Sequence, residues 1–137
     1  MSTDAPAPAG QPEEDPLVQY VVLREDLHTT GGWQLGSLVA QGCHASLAAV
    51  WDSREAADTQ AYLSSQNRAH MRKVVLAVRD EEALRALAAK LHDKGLGHCL
   101  WIEQPENEAT CLATVPALKS RAFPLVRRVK LCKGVVQ

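Results

Sequence analysis

Apolar residues recur with two different periods along this 137-residue chain, and the switches between those periods mark its elements. Val18, Tyr20, Val21, Val22 and Leu23 place apolar side chains on both faces of the stretch Leu17 to Arg24. That pattern predicts a strand covered on both sides. Asp26 to Gly32 breaks it with Thr29, Thr30, Gly31 and Gly32. From near Leu35 to about Trp51 the period becomes helical, with Leu38, Gly42, Ala45 and Ala49 on one side. These small residues would let the helix axis approach a sheet closely. Ser53 is expected to cap a second helix, with Glu55 in its first turn and an end near Gln66. Arg72 to Arg79 is a second predicted strand. Asp80 then caps the clearest helix: Glu81 and Glu82 open it, Leu84, Leu87, Ala88 and Leu91 share a face, and Gly95 follows its end. Gly97 to Gln104 and Thr110 to Val115 are two more strands, joined by a polar turn from Pro105 to Ala109 and expected to pair as a hairpin. A short basic helix, interrupted near Pro124, closes the chain. This order predicts an α/β domain with a mixed sheet of about four strands and helices on both faces.

Composition narrows the class without changing it. Hydrophobic residues at 46% and charged residues at 23% are those of a globular domain. The domain is assigned to residues 17–133, with residues 134–137 as a C-terminal tail. Residues 1–16 carry four prolines and the acids Asp4, Glu13, Glu14 and Asp15, with no hydrophobic period, and read as a disordered tail. That segment has neither an apolar core nor a basic residue, so it is not read as a targeting peptide, and a cytoplasmic location is expected. No apolar run approaches the roughly 20 residues that span a bilayer, so no membrane partner is expected. A net charge of −1 gives no global field toward nucleic acid, which leaves any such contact to a local patch. Cys43, Cys99, Cys111 and Cys132 form no C-x-x-C pair and lie in apolar segments, so they are read as buried, reduced thiols, and no metal site is expected.

Four groups of residues could carry chemistry. Gln41, Cys43 and His44 lie on the first long helix. Cys43 and His44 are not a catalytic pair, because adjacent helical residues point about 100° apart. His44 reads either as a working imidazole or as a hydrogen-bonded packing residue. The loop from Thr29 to Gly36 leads glycine-rich chain into a helix start, where free backbone N–H groups favour an anion. It is not a P-loop, since no Gly-Lys-Ser/Thr follows. Trp33 in that loop either stacks on a base or ribose or fills the gap between loop and helix. At the C-terminal end Lys119, Arg121, Arg127, Arg128, Lys130 and Lys133 either bind phosphate or form a solvated face. The turn Glu103-Gln104-Pro105-Glu106-Asn107-Glu108 offers carboxylates for acid or base work, or a solvated hairpin tip.

Taken together, these segments resemble the type II peptidyl-tRNA hydrolase family of archaea and eukaryotes, closest to its divergent branch of peptidyl-tRNA hydrolase domain-containing proteins. The resemblance spans about Leu17 to Lys133. Val21-Val22-Leu23-Arg24-Glu25-Asp26-Leu27 is similar to the family's opening strand with its Arg-x-Asp-Leu. Val39-Ala40-Gln41-Gly42-Cys43-His44-Ala45 resembles its Ala-Ala-Gln-Cys-Ser-His-Ala helix. Lys73-Val74-Val75-Leu76 and Asp80-Glu81-Glu82-Ala83-Leu84 resemble its second strand and the helix start after it. Thr110 to Pro116 resembles its Thr-Val-Leu-Gly-Ile-Gly-Pro strand. The run Leu100-Trp101-Ile102-Glu103-Gln104-Pro105-Glu106-Asn107, followed by Ala109-Thr110-Cys111, points to the divergent branch. The resemblance implies a mixed four-stranded sheet between helices and cleavage of the ester joining a peptide to the tRNA 3′ end. It implies no metal or other cofactor, and dimers are common in the family.

The departures bear directly on chemistry. Where the family opens its first helix with Gly-Lys-Gly-Lys, this chain has Gln34-Leu35-Gly36-Ser37, and both lysines are gone. Gln104 stands at the family's aspartate, the loop after it is shorter, and only the later threonine survives, as Thr110. Ester hydrolysis needs an oriented or deprotonated water and stabilised charge on the oxyanion. Gln104 can orient water but cannot take its proton. Glu103 or Glu106 could stand in, as could His44, whose ring type ordinarily titrates near neutrality. Expected catalytic residues are thus His44, Thr110, Glu103, Glu106 and Gln104. Expected substrate contacts are Trp33, Gln34, Ser37, Gln41 and Asn107, with Arg127, Arg128 and Lys130 holding tRNA. Two functions follow: an esterase on peptidyl-tRNA, or a degenerate member that binds tRNA or a protein partner, with a homodimer possible in either case.

Overall fold

In the computed structural model, which describes residues 15–134, the first strand β1 (Leu17–Arg24) is central and the others assemble around it. It runs parallel to β2 (Arg72–Val78), from Val18 opposite Arg72 to Arg24 opposite Val78. On its other side it is antiparallel to β4 (Glu108–Thr114), which pairs with β3 (His98–Glu103) in the expected hairpin. Two strands of two residues complete the sheet: β5 (Ala117–Leu118) against β1 and β6 (Lys130–Leu131) against β2. The sheet is therefore mixed and six-stranded, in the order β3-β4-β1-β2-β6 with β5 off that path. The expectation of about four strands missed the two short ones, which are too brief to show a period of two. The bounds 1–16 and 134–137 given for the tails fall mostly outside the described residues. Within them, Asp15 accepts hydrogen bonds from the backbone and hydroxyl of Ser120, and Pro16 accepts one from Lys119.

Helices cover both faces. Alternation along β1 sends Val18, Tyr20 and Val22 into a core with Leu84, Leu87 and Leu91 of α4 (Glu81–Asp93) and Ala122 and Val126 of α5 (Lys119–Val126). Val21 faces the other way, into a smaller core with Cys111, Ala113 and the buried Ala45 and Ala49 of α2 (Leu35–Asp52). A Cβ on Gly42 would lie 3.5 Å from the Val21 side chain, so the small residues do bring this helix close to the sheet. A buried polar knot ties it down. The Gln19 amide donates to the carbonyls of Ser46 and Thr114 and accepts from Ser46 Oγ and Lys73 Nζ.

Local signals explain most boundaries. Asp80 accepts from Ala83 N at 2.9 Å as the N-cap of α4, and Gly95 sits beyond its end at φ 74°, where a side chain would be strained. Ser53 does not begin the next helix. It follows α2, its hydroxyl donating to the Ala49 carbonyl and meeting Thr59 Oγ1, while α3 covers Ala57–Tyr62 and a 3₁₀ turn covers Ser65–His70. The loop read between β1 and α2 contains a one-turn helix, α1 (Asp26–Thr29). Pro124 lies inside α5 rather than ending it. No described helix is long and apolar enough to cross a membrane.

Candidate functional site

One irregularity in the sheet builds the site. Trp101 pairs with Cys111, but the next residue, Ile102, pairs with Ala109. Thr110 is thus the extra residue of a β-bulge, which bends the strand and re-aims its side chains. Ala109 and Leu112 remain in the α4 core while Cys111 and Ala113 face α2. Thr110 also turns to α2. It is fully buried, and its hydroxyl donates to Gln41 Oε1 at 2.7 Å.

Gln41 passes the contact on. Only 3% of it is exposed, and its Nε2 donates to Glu103 Oε2 at 3.2 Å. The other Glu103 oxygen accepts the indole N–H of Trp101 at 3.0 Å. Trp101 and Glu103 can share this carboxylate because residues two apart on a strand face the same side. His44, one helical turn after Gln41, lays its ring on Trp101 with centroids 4.6 Å apart and planes 14° from parallel. Glu103 is consequently held below the usual carboxylate range, first by the Trp101 hydrogen bond and then by that of Gln41, with the attraction of His44 adding to them. It is charged at neutral pH.

These groups open onto a cleft of about 370 Å³ lined by Trp33, Ser37, Ala40, Gln41, His44, Glu103 and Glu106. Ser37, Ala40, Gln41 and His44 recur at helical spacing, so α2 presents one face to the cleft. Six residues singled out from the sequence therefore meet here: Trp33, Ser37, Gln41, His44, Glu103 and Glu106. Thr110 supports them from beneath. Its burial leaves it no surface for a substrate, so the geometry makes it a positioning residue. Gln41 likewise has both ends of its amide bound to protein, contrary to a simple substrate contact. Gln104 does not point to this cleft: it is exposed on the turn, donating to Asn107 Oδ1 at 3.3 Å. Asn107 holds the turn at φ 55°. Gln34 is the exposed N-cap residue of α2, with no side-chain cap bond.

The C-terminal cations lie elsewhere. Arg128 and Lys130 line a separate hollow with Glu25 and Arg79, and Arg127 is exposed beside them. The strand β6, which begins at Lys130, is at the opposite edge of the sheet from β3. At about 4.8 Å per strand, four spacings separate the two edges by roughly 19 Å. The thiols also differ from expectation. Cys111 is buried, but Cys99 and Cys132 are only half-buried and Cys43 is exposed, because it faces away from the sheet on α2; all are free.

Two residues at or near the site were not singled out from the sequence. Trp101 was legible only as strand filler, although its place two residues before Glu103 is a signal that it can share that side chain's surroundings. Arg24 is 6% exposed and fastens the end of β1 to the hairpin. It binds Asp26 at 3.0 and 2.7 Å, Glu108 at 2.9 Å and the Ala109 carbonyl at 2.9 Å. That carbonyl immediately precedes the bulge residue Thr110.

Comparison with known proteins points to one family. The model of the family described as peptidyl-tRNA hydrolase PTH2 matches residues 17–132. A human protein named "Putative peptidyl-tRNA hydrolase PTRHD1" is 46% identical over 122 residues, which cover 88% of this chain and 86% of that protein. The mouse protein of the same name is 47% identical over 118 residues, covering 85% and 83%.

Proposed function

The chain belongs to the peptidyl-tRNA hydrolase PTH2 family, as a divergent member, and we propose that it hydrolyses the ester between a peptide and the tRNA 3′ end in the cleft beside α2. The observation that carries this reading is the chain of hydrogen bonds from Thr110 through Gln41 to Glu103, with Trp101 on the carboxylate's other oxygen. It fixes a charged carboxylate at the cleft wall, one position before the residue that replaces the family's aspartate.

Glu103 orients a water and takes its proton as the oxygen attacks the ester carbonyl. When the tetrahedral intermediate collapses, that proton goes to the departing ribose oxygen. The products are a free peptide carboxyl group and a tRNA hydroxyl, so atoms and protons balance. A positioned base of this kind contributes about 10²- to 10⁴-fold in rate. Glu103 is a weaker base than a carboxylate with an ordinary pKa, and the lost lysines remove cationic help, so turnover is slow. The attraction of His44 adds to that lowering, holding Glu103 in its charged form at a cost in basicity. The first turn of α2 carries no acidic residue and no capping side chain, which leaves its N–H groups to favour a phosphate or the oxyanion. Arg127, Arg128 and Lys130 contact the tRNA body at a distance from the ester, and the reaction is cytoplasmic.

Release of labelled peptide from peptidyl-tRNA by the purified chain tests this directly. Slow, enzyme-proportional release is expected. No release, with tRNA binding that weakens steeply in salt, would make the protein a tRNA-binding module instead.

A further inference from the structure

The cleft contains a flat surface that the proton chemistry does not use. His44 is exposed and lines the cleft, while its inner face is covered by Trp101. Trp101 is itself pinned by its N–H on Glu103. The pair therefore forms a pre-ordered stack at the cleft wall, with His44 as its solvent-exposed member. Stacking platforms of this kind bind nucleobases, because every base has a π-face. Trp33 adds a second aromatic surface to the same lining.

Charge narrows the ligand. The lining carries the carboxylates of Glu103 and Glu106 and no lysine or arginine. Beside these carboxylates, away from the start of α2, a phosphate would be repelled. A base with an exocyclic amine fits, since the amine is a donor and a carboxylate an acceptor. Glu103 is engaged by Gln41, by Trp101 and by the attacking water, which leaves Glu106 at the turn as the group for that amine.

We propose that the outer face of the His44–Trp101 stack is a subsite for the terminal adenine of tRNA, with Glu106 accepting from its amino group. This rests on the reading of the cleft as the peptidyl-tRNA site. It gives His44 a recognition role beside its electrostatic one, and it places the 3′ ribose next to Glu103.

Equilibrium binding of a short RNA oligonucleotide with a free 3′-adenosine, measured on the full chain by calorimetry, tests the subsite. The same oligonucleotide ending in uridine is the control. The adenosine form binds more tightly to wild type. His44→Phe, which keeps a flat ring, retains that binding, whereas His44→Ala weakens it by roughly 5- to 150-fold, the range for losing one base stack. Glu106→Gln narrows the difference between adenosine and uridine. Equal binding of the two oligonucleotides by wild type overturns the proposal without any variant. So does unchanged binding by His44→Ala. The probe carries no ester, so its binding is independent of turnover. Base-dependent binding without peptide release refutes the hydrolase reading alone, and release with base-independent binding refutes the subsite alone.

Discussion

Replacing Thr110 by valine removes one hydroxyl while keeping the shape of a fully buried side chain. In the wild type that hydroxyl donates to Gln41 Oε1 at 2.7 Å, and Gln41 is itself buried. Valine leaves the amide oxygen without its donor and out of reach of bulk water. Stranding a buried acceptor costs about 1–3 kcal/mol. With a urea dependence of about 2 kcal/mol per M, the unfolding midpoint should fall by about 0.5–1.5 M. Thr110→Ser, which keeps the donor, should lose less. The comparison becomes specific in a double-mutant cycle with Gln41→Leu. If the two residues act through one hydrogen bond, the losses are not additive, and a coupling of about 0.5–3 kcal/mol appears. Urea denaturation followed by far-UV circular dichroism measures the four proteins of the cycle and Thr110→Ser. A Thr110→Val midpoint equal to that of wild type, or strictly additive losses with Gln41→Leu, would refute the relay.

Three further outcomes follow from the same geometry. Glu103 has a folded pKa below its ordinary 4.5, so its charge stabilises the fold above that value, and the contribution is lost as pH falls through the folded pKa. The stability difference between wild type and Glu103→Gln should therefore shrink on going from about pH 7 to about pH 3, and a difference that grows on acidification would contradict the assignment. Burial pushes the Cys111 thiol up to about 12, and Cys99 is raised as well, whereas Cys43 is exposed. Iodoacetamide at about pH 8 should modify Cys43 first and Cys111 only after unfolding, as read by peptide mass mapping. Arg24→Met should cost about 3 kcal/mol, the low end for breaking a buried ion pair, because Asp26 and Glu108 keep part of their solvent. Denaturation midpoints check this, and a loss no larger than that of an exposed arginine would show that Arg24 does not hold the hairpin.

Much of the frame was legible because it is local. The α4 helix announces itself through Asp80, its two glutamates and Gly95, all within a few residues of the element they bound. The period of the β1 run and the small residues of α2 place the sheet between helices. Ser53 misled because serine stabilises a helix start by a side-chain bond, and here the same hydroxyl turns back to the preceding helix. The site was legible as residue types but not as roles. Thr110 and Gln41 are 69 positions apart, and Arg24 and Glu108 are 84 apart. Such contacts depend on the register of a hairpin against a helix, and a bulge shifts that register by one without leaving a hydrophobic signature. Gln104 was matched to the family's aspartate by position along the chain. The strand instead ends with Glu103 at the cleft, and Gln104 begins the turn, where its amide bonds to Asn107 on the exposed tip.

The most direct measurement is the single-turnover rate of peptide release from labelled peptidyl-tRNA by Glu103→Gln and Glu106→Gln beside wild type. The relay-held carboxylate predicts a loss of about 10²- to 10⁴-fold for Glu103→Gln and a much smaller loss for Glu106→Gln. Wild-type turnover that survives in Glu103→Gln would contradict the account.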